Sequence, residues 1–363
     1  MQHIRNTSRL IIACCTIFFF ANTSFAQSTN DSLIFFEADN SNIQYVGRID
    51  FSNAKLPKFW APGVYINASF EGTSCKIVLN DEVQYGVMHN YIEVVVDGNA
   101  KRLRLNDKEN TIEIAKDMSK GIHTITIYKN TESGIGYLEF KGIYCNKLLQ
   151  PQPLPVHKIE CIGNSITCGA SSDESEIKCK EGRWEDQHNA YMSYGPATAR
   201  SLNAQYYLTA VSGIGLTHSC CGLTITMPQV FDKVNGRNDS IQWNFSNYTP
   251  DVVTICLGQN DGIQDSAMWC GKYVDFIKQI RTHYADASIF LLTSPMADAK
   301  LSASQKNYLS GIEDYIYHHN DKKVYTYFFN KQYRSGCDSH PNVEEHQQIA
   351  KLVSAYIKKI MKW

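Results

Sequence analysis

At 363 residues the chain is long enough for two domains, and a composition of 43% hydrophobic and 20% charged residues excludes a disordered or fibrous protein. The formal net charge is -1 and there is no long basic run, which argues against nucleic acid as a partner.

Residues 1-26 read as a cleavable secretory signal. Arg5 and Arg9 give the positive start, Leu10 to Ala21 the apolar core, and Ser24-Phe25-Ala26 the small residues a signal peptidase reads. A lipoprotein anchor at Cys14 is a weaker alternative, because few apolar residues precede that cysteine. No later stretch is apolar for long enough to span a bilayer, so a secreted or periplasmic protein without a membrane span is expected after signal removal. Export permits disulfides, and one or two of them, or plain buried thiols, are expected. Cys168, Cys179, His188, His218, Cys220 and Cys221 lack the paired spacing of a zinc site, so neither metal nor cofactor is expected.

Residues 31-150 read as strands only. Tyr91 to Val96 and Lys101 to Leu105 flank Asp97-Gly98, a hairpin turn signal. Thr111 to Ile114, Ile122 to Tyr128 and Tyr137 to Phe140 follow at similar spacing, which predicts a β-sandwich or jelly roll. Pro151-Gln152-Pro153-Leu154-Pro155 then marks a stiff spacer and a domain boundary.

From residue 156 to 363 the pattern alternates. Val156 to Ile162, Tyr206 to Val211, Val252 to Leu257, Ser288 to Thr293 and Val324 to Phe329 read as strands. Tyr191 to Leu202 reads as a helix. Helical stripes run through Tyr273, Phe276, Ile277 and Ile280, through Leu309, Ile312 and Ile316, and through Ile349, Leu352, Val353, Tyr356, Ile357 and Ile360. Alternation of this kind predicts an α/β fold, a parallel sheet covered on both faces.

Four loops at predicted strand ends carry residues suited to acyl transfer. Ser165, in Gly163-Asn164-Ser165-Ile166-Thr167, is placed as a nucleophile, although it equally fits a helix cap. It is not the sharp Gly-x-Ser-x-Gly elbow, since Thr167 replaces the second glycine. Gly213, in Ser212-Gly213-Ile214-Gly215, can aim a backbone N–H at a ligand. Asn260, in Gly258-Gln259-Asn260-Asp261, can donate a side-chain N–H to an oxyanion, or simply form an Asx turn. His340, in Asp338-Ser339-His340-Pro341, is the candidate base, with Asp338 either orienting its ring or, like Ser339, capping the helix that follows. Strand ends of a parallel sheet converge on one crevice, so the four belong to one candidate site.

Taken together, these segments resemble the SGNH (GDSL-like) hydrolases, and most closely the family 2 carbohydrate esterases, in which a small β-sandwich precedes the hydrolase domain. Phe70-Glu71-Gly72-Thr73-Ser74 and Gly121-Ile122-His123 fit the front domain of that family. The resemblance implies a three-layer SGNH domain over residues 156-363, and a carboxylic ester hydrolase that removes acetyl groups from polysaccharides such as xylan or mannan without a metal. It implies that Ser165 attacks the acetyl carbonyl, that His340 moves the proton, and that the Ser165 N–H, the Gly213 N–H and Asn260 form the oxyanion hole. Two departures stand out. Asn164 occupies the usual aspartate position, and Asp338 lies two residues before His340 rather than three. Family 2 esterases share that spacing and some are thought to work as a Ser/His dyad, which leaves Asp338 open as a third member. Trp269 and Trp184 are candidate stacking platforms for sugar rings. A broader acyl or lipid esterase and a non-catalytic carbohydrate-binding protein are the alternatives.

Overall fold

The computed structural model describes residues 32–363 apart from residue 239; the signal expected over 1-26 lies outside the described residues. The front part is built from antiparallel strands: β1 (Ile34–Glu37), β2 (Gln44–Val46), β3 (Lys58–Phe59), β4 (Tyr65–Asp81), β5 (Tyr91–Val96), β6 (Asn99–Arg104), β7 (Glu109–Ala115), β8 (Gly121–Lys129) and β9 (Leu138–Leu149). Asp97 and Gly98 close the β5–β6 hairpin with φ of 47° and 82°, the two positive values a tight primed turn requires. β4 is the spine of one nine-stranded sheet, pairing with β2, β7, β8 and β9. Its Tyr65–Gly72 half pairs with β8, and its Cys75–Asn80 half pairs with β7 after an irregularity that redirects the strand. Phe70, Ile77, Leu79, Ile92, Ile127, Phe140 and Ile143 form the sheet's buried core.

The rest is a five-stranded parallel sheet of β10 (His157–Gly163), β11 (Ala204–Ala210), β12 (Val252–Cys256), β13 (Ser288–Leu292) and β14 (Val324–Tyr327), in the order β11-β10-β12-β13-β14. The central strands are apolar runs because both faces are covered. Alternate residues go to alternate faces. On one, Ile159, Cys161, Phe290 and Leu292 pack with α2 (Tyr194–Ser201) and α6 (Val343–Met361). On the other, Ile162, Val253, Ile255, Ile289 and Leu291 pack with α4 (Ser266–His283) and α5 (Ala299–His318). Short helices α1 (Ser165–Cys168) and α3 (Met227–Val230) lie in loops. No helix among the described residues is long and apolar enough to cross a membrane. The order of strands puts a switch point beside β10, and ligands of such sheets bind beyond the carboxyl ends there.

A buried ion pair fixes the front part to this sheet. Arg48 donates to Glu160 of β10 at 2.8 Å and also to the carbonyl of Lys233 at 2.8 Å. Thr209 of β11 donates to the same Glu160 oxygen at 2.6 Å.

Candidate active site

Ser165 opens α1, immediately beyond the carboxyl end of β10. Asn164 caps that helix, its Oδ1 accepting from the Ile166 N–H at 3.1 Å. Asparagine caps as well as aspartate, so the departure at this position leaves the local turn intact. Gly163 makes room for Thr167, whose hydroxyl a Cβ there would strike and whose hydrogen bond to the Tyr194 hydroxyl is 2.9 Å long. That close packing explains a threonine where a sharp elbow has glycine.

His340 reaches Ser165 across the sheet end, with Nε2 to Oγ at 2.8 Å. It follows the short turn Cys337–Ser339, in which Asp338 (φ 50°) and Ser339 (φ 59°) both adopt left-handed backbone. Asn342, not Asp338 or Ser339, caps α6. Burial lowers the His340 pKa from its ordinary value, opposed by the nearby carbonyls of Asp338 and Cys337 and more weakly by the Asp338 carboxylate. The ring Nδ1 is buried and has no well-aligned partner among the described residues. The Asp338 carboxylate is directed at the Ser171 hydroxyl, 3.5 Å away. The Asp338 carboxylate, left open as a third member by the sequence, therefore makes no hydrogen bond to the histidine ring among the described residues and instead accepts from Ser171.

Gly213 follows β11 with φ of +81°, a conformation open to glycine without strain, and its carbonyl accepts from the Cys220 N–H at 2.8 Å. One N–H of the Asn260 side chain is held by the Ile214 carbonyl at 2.8 Å, leaving the other for a ligand. Asp261 binds these loops together, accepting from the Leu216, Thr217 and His218 N–H groups at 2.9, 2.7 and 3.1 Å. Ser165, Gly213, Asn260, Asp338, His340 and Trp184 line one cleft of about 530 Å³. Trp184 is 38% exposed at its rim and packs edge-on against His188, centroids 4.2 Å apart.

Trp269 is a correction. It is 2% exposed and packs against Tyr273 and Tyr308 between α4 and α5, so it cannot stack on a sugar. It stands four residues before Tyr273, one turn back along the same helical face, and that spacing was the signal for burial. Two features of the site were not read from the sequence. A disulfide joins Cys179 to Cys337, three residues before His340. Glu132, from the front part, reaches the cleft and accepts from the Ser212 N–H at 2.8 Å. Cys220 and Cys221 are bonded to each other at the cleft wall, so three of the four cysteines weighed for metal, Cys179, Cys220 and Cys221, are in disulfides.

Residues 45–155 match the family described as carbohydrate esterase 2 N-terminal, and residues 161–321 the GDSL-like lipase/acylhydrolase family. A solved family two carbohydrate esterase from Clostridium thermocellum, in complex with cellohexaose, is 30% identical with a TM-score of 0.81, covering 88% of this chain and 99% of that one. The chain belongs to the family 2 carbohydrate esterases. The cellulase/esterase CelE of Acetivibrio thermocellus is 33% identical over 90% of this chain, which spans only 40% of that longer protein. An acetylxylan esterase / glucomannan deacetylase of Cellvibrio japonicus is 26% identical over 95% of this chain and 96% of its own length. A carbohydrate esterase fold thus brings a serine, a histidine whose pKa burial lowers, and the Asn260 amide into one cleft, a set competent for acyl transfer.

Proposed function

We propose that the chain is an exported carbohydrate O-acetylesterase acting on acetylated xylan- or mannan-type polysaccharides through a Ser165/His340 dyad, with residues 31-150 as a supporting β-sandwich domain and 156-363 as the hydrolase domain. The observation that carries this is the 2.8 Å contact of His340 Nε2 with Ser165 Oγ inside the cleft lined by Gly213 and Asn260. The relatives named for acetylxylan and glucomannan deacetylation, and the cellohexaose complex of another, support the substrate class.

Ser165 Oγ attacks the acetyl carbonyl as His340 takes its proton. The Ser165 and Gly213 N–H groups and the free Asn260 N–H hold the resulting oxyanion. Collapse expels the sugar oxygen, which receives the proton from His340, and leaves an acetyl-serine. Water, deprotonated by His340, then releases acetate and restores the serine. Trp184 at the rim offers an aromatic face to a sugar ring. The Cys179–Cys337 disulfide supports export, since such bonds persist in oxidising compartments.

Acetate release from acetylated xylan and glucomannan, and hydrolysis of p-nitrophenyl acetate, tests the reading. Ser165→Ala is expected to lose at least about a thousandfold in kcat. Equal rates in the two proteins defeat the dyad. A wild type inert on every ester, yet able to bind the polysaccharides, returns the alternative of a binding protein.

A further inference from the structure

The segment Lys129–Ser133, between β8 and β9 of the front sandwich, is buried throughout although it is loop for most of its length and rich in polar side chains. It is heavily anchored. The Lys129 ammonium donates to the Thr131 and Glu132 carbonyls at 2.7 and 3.2 Å. The Asn130 carbonyl and side-chain oxygen each accept, from the Ala190 and Tyr191 N–H groups, at 3.0 Å. Glu132 is fully buried at the tip of this structure. Its Oε2 accepts from the Ser212 N–H at 2.8 Å and from the Cys168 thiol at 3.8 Å, while Oε1 has no partner among the described residues.

A buried carboxylate with one good donor and one empty oxygen is an expensive way to fill space. Its cost is understandable from what it grips. Cys168 ends the short helix that Ser165 begins. Ser212 precedes Gly213, and the Cys220 N–H holds the Gly213 carbonyl at 2.8 Å. The peptide that carries the Gly213 N–H is thus fixed from both sides, by Glu132 on one and Cys220 on the other. We propose that Glu132 is a positioning residue of the esterase site, a carboxylate delivered by the front sandwich that sets the direction of the Gly213 N–H in the oxyanion hole. The front domain is then a working part of the active site. This rests on the esterase reading above and on the buried contact of Glu132 with Ser212.

What the contact requires is an acceptor of the right reach, not a charge. Glutamine at this position keeps that acceptor; aspartate keeps the charge and loses the reach. On p-nitrophenyl acetate, Glu132→Gln is expected to stay within about threefold of wild-type kcat. Glu132→Ala and Glu132→Asp are expected to lose roughly 10- to 100-fold in kcat with KM within about twofold, since the oxyanion hole acts in the transition state. Affinity for a small alkylboronic acid, which forms a tetrahedral adduct on the serine, is expected to fall in parallel. Hydrogen exchange of the segment around Ser212 gives a readout independent of activity: at least about tenfold faster in the Ala and Asp forms, unchanged in the Gln form. Wild-type rates and exchange in the Asp variant overturn the proposal, as does a Gln variant as impaired as Ala. If the alanine form does not fold, the Asp and Gln pair decides. A wild type without esterase activity defeats the esterase reading instead, and the exchange data then stand alone for or against the Glu132 contact.

Discussion

His340 must be neutral to accept the Ser165 proton, and its surroundings favour that form. Burial holds its pKa below the ordinary histidine value, so the base stays unprotonated further into acid than a free imidazole. The acid limb of kcat/KM is expected to have its midpoint below about 6.5, the unperturbed value. A pH–rate profile on p-nitrophenyl acetate checks this, and a midpoint above that value contradicts it. The orientation of the ring is a separate matter. The Asp338 carboxylate points to Ser171 and makes no hydrogen bond to Nδ1 among the described residues, so Asp338→Asn is expected to cost less than about tenfold in kcat, against about ten-thousandfold for a true triad aspartate. Ser165, Gly213, Asn260 and His340 were all legible in the sequence because each ends a strand pattern in residues suited to one chemistry. Asp338 was legible only as a spacing. Spacing does not reveal that two consecutive residues take left-handed backbone and turn the carboxylate away. Glu132 carried no signal at all, because a buried glutamate at the end of a strand looks like any exposed turn residue.

At the scale of elements, the parallel strands and the helices were readable because burial on two faces demands continuous apolar runs and one-sided stripes. What the pattern hides is how loops are tied. The Cys179–Cys337 bond joins the segment after α1 to the turn before His340, and the Cys337 N–H also donates to the Ser171 carbonyl at 2.9 Å. Non-glycine residues in left-handed backbone each cost about 1 kcal/mol or more, and such turns persist only where their surroundings hold them. The disulfide closes a loop of 158 residues, which in the chain-entropy account corresponds to several kcal/mol. A Cys179→Ala/Cys337→Ala form is therefore expected to lose about 2–5 kcal/mol in urea unfolding. Its kcat is expected to fall as well, because the turn that presents His340 is released. Unchanged kcat in the folded double variant would show that the turn holds its shape without the bond.

For the whole molecule, the question is whether sandwich and hydrolase sheet behave as one unit. Sequence patterns separate them cleanly at the proline-rich stretch Pro151 to Pro155, and contain nothing about their docking. The structure shows that docking to be polar as well as apolar. Arg48 and Glu160 are 2% and 0% exposed as side chains, and the guanidinium also lies over the rings of Phe231 and Trp243. Removing one member of a buried pair leaves the other charged and unsolvated, a loss of roughly 3–5 kcal/mol, more than the pair itself contributes. Arg48→Met is expected to fall in that range by urea denaturation, although methionine fills much of the same volume. Among the described residues Glu160 would then keep the Thr209 hydroxyl as donor, with the Tyr284 hydroxyl beside it, neutral groups too weak to offset an isolated carboxylate. Adding Glu160→Gln to Arg48→Met removes that orphaned charge and is expected to recover most of the loss, a coupling that a double-mutant cycle measures directly. Additive losses in the double variant would mean that the two side chains act independently, and that apolar packing such as Tyr65 against Tyr206 carries the docking on its own.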